Sequence, residues 1–247
     1  MAIQVVASPT VILLAGGFGT RVRELYPDLP KPMIPVLGEP FLEWEFRYWA
    51  AQGFHRFIVS LGYLAHVAES YCASRRSSEL TIETVVEPTP LGTGGALHYA
   101  ASCKGVSEPF VAANADSLLL TSIQPAADAM CDPAVDGVLF GIPVEDASRY
   151  GSLEVEGQLL MGFREKSPGR GIINAGVYVL RPRLLERFPA SGPLSLESEV
   201  FPFWLASGAK FLVIETEAPF LDIGTPASFR QAEEFLGKHF PSGTIFR

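Results

Sequence analysis

The sequence predicts an α/β protein built on a mostly parallel central sheet with helices on both faces. Three observations carry this reading. Short apolar runs that read as buried strands alternate with helical segments through residue 143. Several of these runs are apolar without alternation, as strands covered on both faces are. The loops that follow them are rich in glycine or end in aspartate, which suits the crevice beyond the carboxyl ends of such strands.

Each element follows in order. Residues 11–15 form an apolar run that stops at Gly16, Gly17 and Gly19. Residues 41–52 place aromatics at 41, 44, 48 and 49, the spacing of an amphipathic helix, which Gly53 ends. The aromatic stripe is read as core. Residues 56–60 make a short buried strand, 63–74 a second helix, and 80–86 a strand rich in β-branched residues. Residues 87–95 combine two prolines with three glycines and read as a loop before a helix at 96–102. Residues 110–114 form a strand that delivers Asn114 and Asp116, and 135–143 form a strand in the middle of the sheet.

The texture changes after Pro143. Residues 153–161 read as a β-hairpin turning at Gly157, and 172–180 as a strand. Residues 196–207 read as a helix with Ser195 as N-cap, 211–215 as a strand, and a last helix beyond Pro226 carries Phe229, Ala232, Phe235 and Leu236 on one side. No internal repeat, low-complexity tract or linker interrupts the chain. One domain over residues 1–247 is therefore expected, the second half elaborating the first.

Composition narrows the function classes. The 48% hydrophobic fraction suits a large core, and the formal net charge of −8 argues against a nucleic-acid surface. A small phosphorylated ligand needs only a few local cations, so it stays open. The three cysteines are far apart, form no CxxC pair, and are read as small buried apolar residues in a reducing compartment. The first ten residues lack a basic region followed by a long apolar one, and no apolar run nears the roughly 20 residues that span a bilayer. The expectation is a cytoplasmic protein with no membrane partner. The sequence leaves room for a homo-oligomer.

The chemistry points to a polyphosphate. A strand running into glycines presents backbone N–H groups that approach phosphate closely, because no Cβ stands in the way. Thr20 and Arg21 follow at once, and an arginine fork matches phosphate oxygens. Pro30 and Pro32 are expected to hold the chain around Lys31 extended, fixing its ammonium. The loop is not a Walker A motif, since no Gly-Lys-Ser/Thr follows, and Val22 spoils a dinucleotide fingerprint. Asp116 and Asp222, each at a strand end, fit a Mg²⁺ that takes a few carboxylates plus substrate phosphates; a turn or helix cap is the plain alternative for either. The four histidines show no ligand spacing, and there is no G-x-S-x-G elbow.

Leu13–Arg21, Pro30–Met33, Glu87–Ala96, Asn114-Ala115-Asp116 and Leu221–Pro226, taken in this order, resemble the motifs of the sugar-1-phosphate nucleotidylyltransferases. The resemblance spans residues 10–236. Gly38–Glu43, Leu91–Ala96, Arg149-Tyr150-Gly151 and Ser195-Leu196-Glu197 are most similar to the D-glycero-α-D-manno-heptose 1-phosphate guanylyltransferases in that family. It implies a Rossmann-like nucleotidyltransferase or glycosyltransferase-A-like fold, with a nucleotide-binding part at about 9–143 and a small β-rich sugar-binding part at about 144–240.

The resemblance also implies a reaction and its residues. A sugar 1-phosphate attacks the α-phosphate of a nucleoside triphosphate and pyrophosphate leaves; alignment and charge neutralisation carry such a step. Arg21 and Lys31 are the catalytic cations. Leu14, Ala15, Gly16, Gly17, Gly19, Thr20, Glu87, Gly92 and Thr93 bind the nucleotide. Asn114, Tyr150, Gly151, Glu165, Lys166 and Asn174 bind the sugar phosphate, and Asp116 and Asp222 hold Mg²⁺. Glu87 falls at the base-reading position; a carboxylate accepts the paired N1–H and N2–H of guanine, which favours GTP over ATP and less strongly over UTP. The product would be a GDP-heptose for surface polysaccharide. Mannose 1-phosphate with GTP, an N-acetylhexosamine 1-phosphate with UTP, and an inactive sugar-nucleotide-binding regulatory module are the alternatives, with an NAD-dependent dehydrogenase more distant. Ala115 departs from the usual glycine and bears on nucleotide fit.

Overall fold

A computed structural model describes residues 9–17, 19, 25–148, 150–164, 168–189 and 192–240. The chain opens with strand β1 (Thr10–Ala15), buried on both faces as its unbroken apolar run requires. The short strands β2 (Pro35–Val36) and β3 (Glu39–Pro40) lead into helix α1 (Phe41–Ala51). There follow β4 (Arg56–Leu61), α2 (Ala65–Arg75), β5 (Thr81–Val86), α3 (Gly92–Lys104) and β6 (Phe110–Asn114). Next come β7 (Ser117–Leu119), α4 (Gln124–Ala129), β8 (Gly137–Val144), β9 (Ser152–Glu156), β10 (Leu159–Arg164) and β11 (Gly171–Leu180). Helix α5 (Phe201–Ala206), β12 (Phe211–Glu215), β13 (Phe220–Asp222) and α6 (Pro226–His239) complete the order.

Among the described residues nine strands make one sheet in the order β5-β4-β1-β6-β11-β8-β12-β10-β9. The expectation of a mostly parallel sheet needs correction, because the sheet is mixed. β5, β4, β1 and β6 are mutually parallel, and β12 is parallel to β8. β11 runs antiparallel to both β6 and β8, and β10 antiparallel to β12 and β9. Among the described residues between β8 and β11 the chain makes the β9–β10 hairpin and no helix. Without a crossover helix it returns antiparallel.

The two faces carry separate cores. Val11, Leu13, Phe57 and Val59 pack with Leu42, Phe46 and Trp49 of α1 and with Ala68 and Cys72 of α2. Ile12, Ile58 and Tyr178 pack on the other face with Leu97 and Ala100 of α3 and Phe201 and Trp204 of α5. A third cluster joins Ala232 and Leu236 of α6 to Phe41, Trp44, Leu118, Leu221 and Ile223. The aromatic stripe of α1 is therefore core, as its spacing predicts.

Four local expectations change. Lys31 lies in a single 3-10 turn (Lys31–Met33), not in extended chain; Pro32 sits in the first turn, where its missing N–H is not needed. Helix α3 begins at Gly92 rather than 96, so the glycines form its first turn. The predicted helix after Ser195 opens with a π-type turn (Leu196–Val200) before α5, though Ser195 does cap it by accepting from Ser198 N at 3.2 Å. Of the cysteines only Cys72 is buried; Cys103 and Cys131 are exposed. Among the described residues no helix is long and apolar enough to cross a membrane.

Candidate active site

The parallel registers fix where the site lies. Leu14 stands beside Ser60 and Asn114, and Leu61 beside Ala15 and Val86. The residues just past those ends, Gly16, Gly62, Glu87, Ala115 and Asp116, therefore emerge together on one edge of the sheet. Glu87 N donates to Leu61 O at 2.7 Å and Ala115 N to Leu14 O at 3.1 Å, which carries the ladder one residue beyond the strands.

A cavity of about 380 Å³ opens there, lined by Leu14, Gly16, Gly17, Glu87, Pro90, Gly92, Thr93, Ala96, Asn114 and Asp116. Glu87 is clamped in its wall. Its Oε2 accepts from Leu91 N at 2.9 Å and its Oε1 from Ser60 Oγ at 3.4 Å. Burial pushes its carboxyl above the ordinary range, and these two bonds only partly offset that. A Cβ on Gly16 would overlap Glu87 Oε1, so a side chain at this position has to displace the clamped carboxylate. Gly17 has open space around a Cβ. The sequence offered one sign of the clamp, a serine inside the apolar run of β4.

The glycines at the start of α3 also make room for a neighbouring segment. Gly94 N donates to Leu194 O at 2.7 Å, and Leu194 N donates to Leu91 O at 2.8 Å. Gly92 has φ +67°, and a Cβ there would lie 2.5 Å from Leu194 O. These glycines let segment 192–196 seat against the helix start. Gly92 and Thr93 still face the cavity.

The cation and the two aspartates converge, although the sequence holds them far apart. β7 and β13 pair antiparallel with Ser117 opposite Asp222, and Ile223 N donates to Asp116 O at 3.0 Å. Lys31 Nζ lies 2.6 Å from Asp116 Oδ2 and 4.0 Å from Asp222 Oδ1. The lysine side chain is 11% exposed against 40% for Asp116, so the ammonium sits under the carboxylates. Asp222 Oδ1 also accepts from Gly224 N at 2.6 Å. Behind the pair, Glu45 is fully buried; burial holds its carboxyl well above the usual range, and the charge of Asp116 adds to this.

A second cavity of about 680 Å³ adjoins the first, lined by Asn114, Tyr150, Gly151, Phe163, Arg164, Asn174, Glu197, Ser198 and Pro202. Asn114 lines both. β11 bends around it: its register slips between Asn174 and Tyr178, and Gly176 there has φ +71°. A Cβ on Gly176 would collide with the Asn114 amide, and Gly176 N donates to Asn174 Oδ1 at 3.1 Å. Of the expected sugar-phosphate residues, Asn114, Tyr150, Gly151 and Asn174 share this cavity. Glu197, Phe163 and Arg164 of the same wall were not assigned a role from the sequence. Thr20, Arg21, Arg149, Glu165 and Lys166 lie outside the described residues.

Comparison with known proteins agrees with this architecture. The nucleotidyl transferase family model matches residues 10–239. The chain is 33% identical over 226 residues to D-glycero-alpha-D-manno-heptose 1-phosphate guanylyltransferase of Aneurinibacillus thermoaerophilus, covering 91% of this chain and 97% of that one. It is 33% identical over 222 residues to mannose-1-phosphate guanylyltransferase of Mycobacterium tuberculosis, covering 88% of this chain but only 62% of that longer one. The crystal structure of HddC from Yersinia pseudotuberculosis complexed with GMP-PN superposes with a TM-score of 0.80 at 32% identity, over 92% of this chain and 98% of that one. UTP-bound UGPase from Acinetobacter baumannii, at 17% identity and TM-score 0.81, shares the fold. The chain belongs to the nucleotidyl transferase family of enzymes.

Proposed function

We propose that this enzyme is a Mg²⁺-dependent sugar-1-phosphate guanylyltransferase whose sugar substrate is D-glycero-α-D-manno-heptose 1-phosphate. One observation carries the reading. Two cavities, each of ligand size, share the wall residue Asn114, and Lys31, Asp116 and Asp222 cluster beside that junction. Two phosphorylated substrates placed in them would meet at a concentrated set of charges. The names of the Aneurinibacillus relative and of the nucleotide complex of HddC support the choice of sugar and of a guanine nucleotide.

In this reading the triphosphate lies in the first cavity with its phosphates toward Gly16, Gly17 and Gly19. The sugar 1-phosphate lies in the second. A phosphate oxygen of the sugar 1-phosphate forms a bond to the α-phosphorus, the α–β bridging bond breaks, and pyrophosphate leaves with the bridging oxygen. Lys31 neutralises charge on the phosphates. Glu87, held by Leu91 N and Ser60, presents a carboxylate that accepts the N1–H and N2–H of guanine.

Asp116 and Asp222 are the residues that would hold Mg²⁺. Two carboxylates brought onto a single ammonium are a donor set for a small hard cation whose remaining ligands are phosphate oxygens and water. When bound, such a cation lowers the repulsion between phosphate oxygens and the incoming phosphate.

The test is pyrophosphate release from a matrix of sugar 1-phosphates and nucleoside triphosphates with Mg²⁺. Release is expected with GTP and the heptose 1-phosphate. Release with UTP and none with GTP would sink the base assignment, and silence across the matrix would favour an inactive binding module. Mannose 1-phosphate is the second reading, favoured by the Mycobacterium relative.

A further inference from the structure

Glu197 stands in the wall of the second cavity, where nothing in the reaction outlined above uses it. Its surroundings are built. Tyr178 Oη donates to Glu197 Oε1 at 3.1 Å, and Ser195 Oγ donates to Oε2 at 3.1 Å. Asn174 Nδ2 reaches Oε1 at 3.4 Å and Thr93 Oγ1 reaches Oε2 at 3.5 Å. Tyr178 is completely buried and is itself fixed by Asn174 Nδ2, which donates to its hydroxyl at 2.6 Å. Thr93 is fixed by Leu196 N, which donates to its hydroxyl at 2.8 Å.

Two features of this arrangement point to a ligand. Among the described residues all the partners of Glu197 are neutral and it forms no ion pair; Arg164 in the same wall pairs with Glu154 at 2.9 Å instead. A carboxylate offers about four acceptor positions, and among the described residues two are filled by well-formed bonds. The contacts at 3.4 and 3.5 Å lie at the outer limit of hydrogen bonding. The carboxylate thus keeps acceptor capacity on an open cavity, in an orientation locked from behind. Uncharged hydroxyl donors suit it, and a phosphate does not, because like charges repel.

We propose that Glu197 is a specificity-determining residue that accepts hydrogen bonds from ring or side-chain hydroxyls of the sugar, with Tyr178 and Ser195 as the residues that position it. The proposal rests on the reading of the second cavity as the sugar site. It assigns the sugar 1-phosphate's hydroxyls, and not its phosphate, to this carboxylate. A site built to receive a hydroxyl rejects an analogue lacking it much more strongly than an apolar pocket rejects a methylene.

The experiment pairs Glu197→Gln and Glu197→Ala with α-D-mannose 1-phosphate, the heptose 1-phosphate and monodeoxy analogues of each, and follows pyrophosphate release with GTP and Mg²⁺. Binding of a non-hydrolysable GTP analogue, measured by calorimetry, checks the fold and the first cavity. Glu197→Gln is expected to raise KM for the sugar 1-phosphate about 10-fold or more and Glu197→Ala further, with the analogue's Kd within about twofold of wild type. Wild type should lose about 10-fold or more in kcat/KM on removal of one particular hydroxyl, and Glu197→Gln should lose little more on the same removal. Equal losses from that removal in both enzymes would overturn the proposal. So would a KM for GTP that rises as much as that for the sugar, since Glu197 would then only prop Thr93. Wild-type inactivity with every sugar 1-phosphate would overturn the reading of the cavity, and the proposal with it.

Discussion

Replacing Gly16 by alanine tests the contact between the first cavity's floor and its wall. The new Cβ would occupy the space of Glu87 Oε1, so the carboxylate must swing away. That breaks the bond from Leu91 N to Oε2 at 2.9 Å and the weaker one from Ser60. A hydrogen bond to a charged acceptor contributes about 1.5–3 kcal/mol, while a Gly-to-Ala change at a compatible backbone position returns about 0.4–1 kcal/mol through the unfolded chain. Gly16→Ala should therefore lose about 0.5–2.5 kcal/mol, a fall of about 1–10 °C in Tm at about 2–4 °C per kcal/mol for a chain of this size. In a Glu87→Ala background the obstacle is gone, and the same substitution should be neutral or stabilising by up to about 1 kcal/mol. The coupling in this double-mutant cycle should thus be about 1.5–3 kcal/mol, read by urea or thermal unfolding of the four proteins. Equal costs in the two backgrounds would refute the clamp.

Four further outcomes follow from other parts of the molecule. Asp116→Asn and Asp222→Asn should each lower kcat by at least about 100-fold in the pyrophosphate assay with far-UV circular dichroism unchanged; near-full activity in either would remove that residue from the proposed Mg²⁺ site. Glu45→Gln should gain stability over wild type as pH rises. The folded-state pKa of Glu45 is raised, so wild-type stability is fully present below the unfolded value near 4.5 and is lost as pH climbs through the folded one, by up to about 1.4 kcal/mol per pH unit. A difference independent of pH between 4 and 8 would contradict this. Gly92→Ala combines a left-handed backbone with a collision against Leu194 O, and should cost more than about 2 kcal/mol by denaturant midpoint, with no partner deletion able to relieve it. Tyr48→Phe removes the hydroxyl that donates to Thr121 O at 2.6 Å and accepts from Thr121 N at 3.0 Å, and should lower stability by about 1–3 kcal/mol in the same measurement.

The sequence was informative where burial is continuous and silent where pairing is long-range. β1, β4, β6 and β12 are apolar runs closed by turn residues, and their limits were readable to within a residue or so. An apolar run does not encode its direction, so the antiparallel course of β11 was not readable from it. β2, β3, β7 and β13 have two or three residues each, too few to show a period. That mattered for the site, because the β7–β13 pair is what carries Asp222 to Asp116. Gly92, Gly94 and Gly95 read as loop because glycine disfavours helix; their helical role depends on a carbonyl contributed from residue 194. Asp116, Asp222 and Glu87 were recognisable as residue types at strand ends, and Lys31 as a lysine between two prolines. The hydroxyl and amide cage around Glu197 joins three separate segments, the start of α3, β11 and residues 195–197, so its closure left no local pattern.

Segment 192–196 ties the two parts of the chain more closely than their separate cavities suggest. Its backbone consumes the first free amides of α3 at Gly94 and Gly95, and Thr93 is fastened to Leu196 in return. The helix start beside the first cavity is thus completed by a strap that comes from the half bearing the second. A chimera that takes residues 1–143 from one relative and the remainder from another would inherit a helix start without its matching strap.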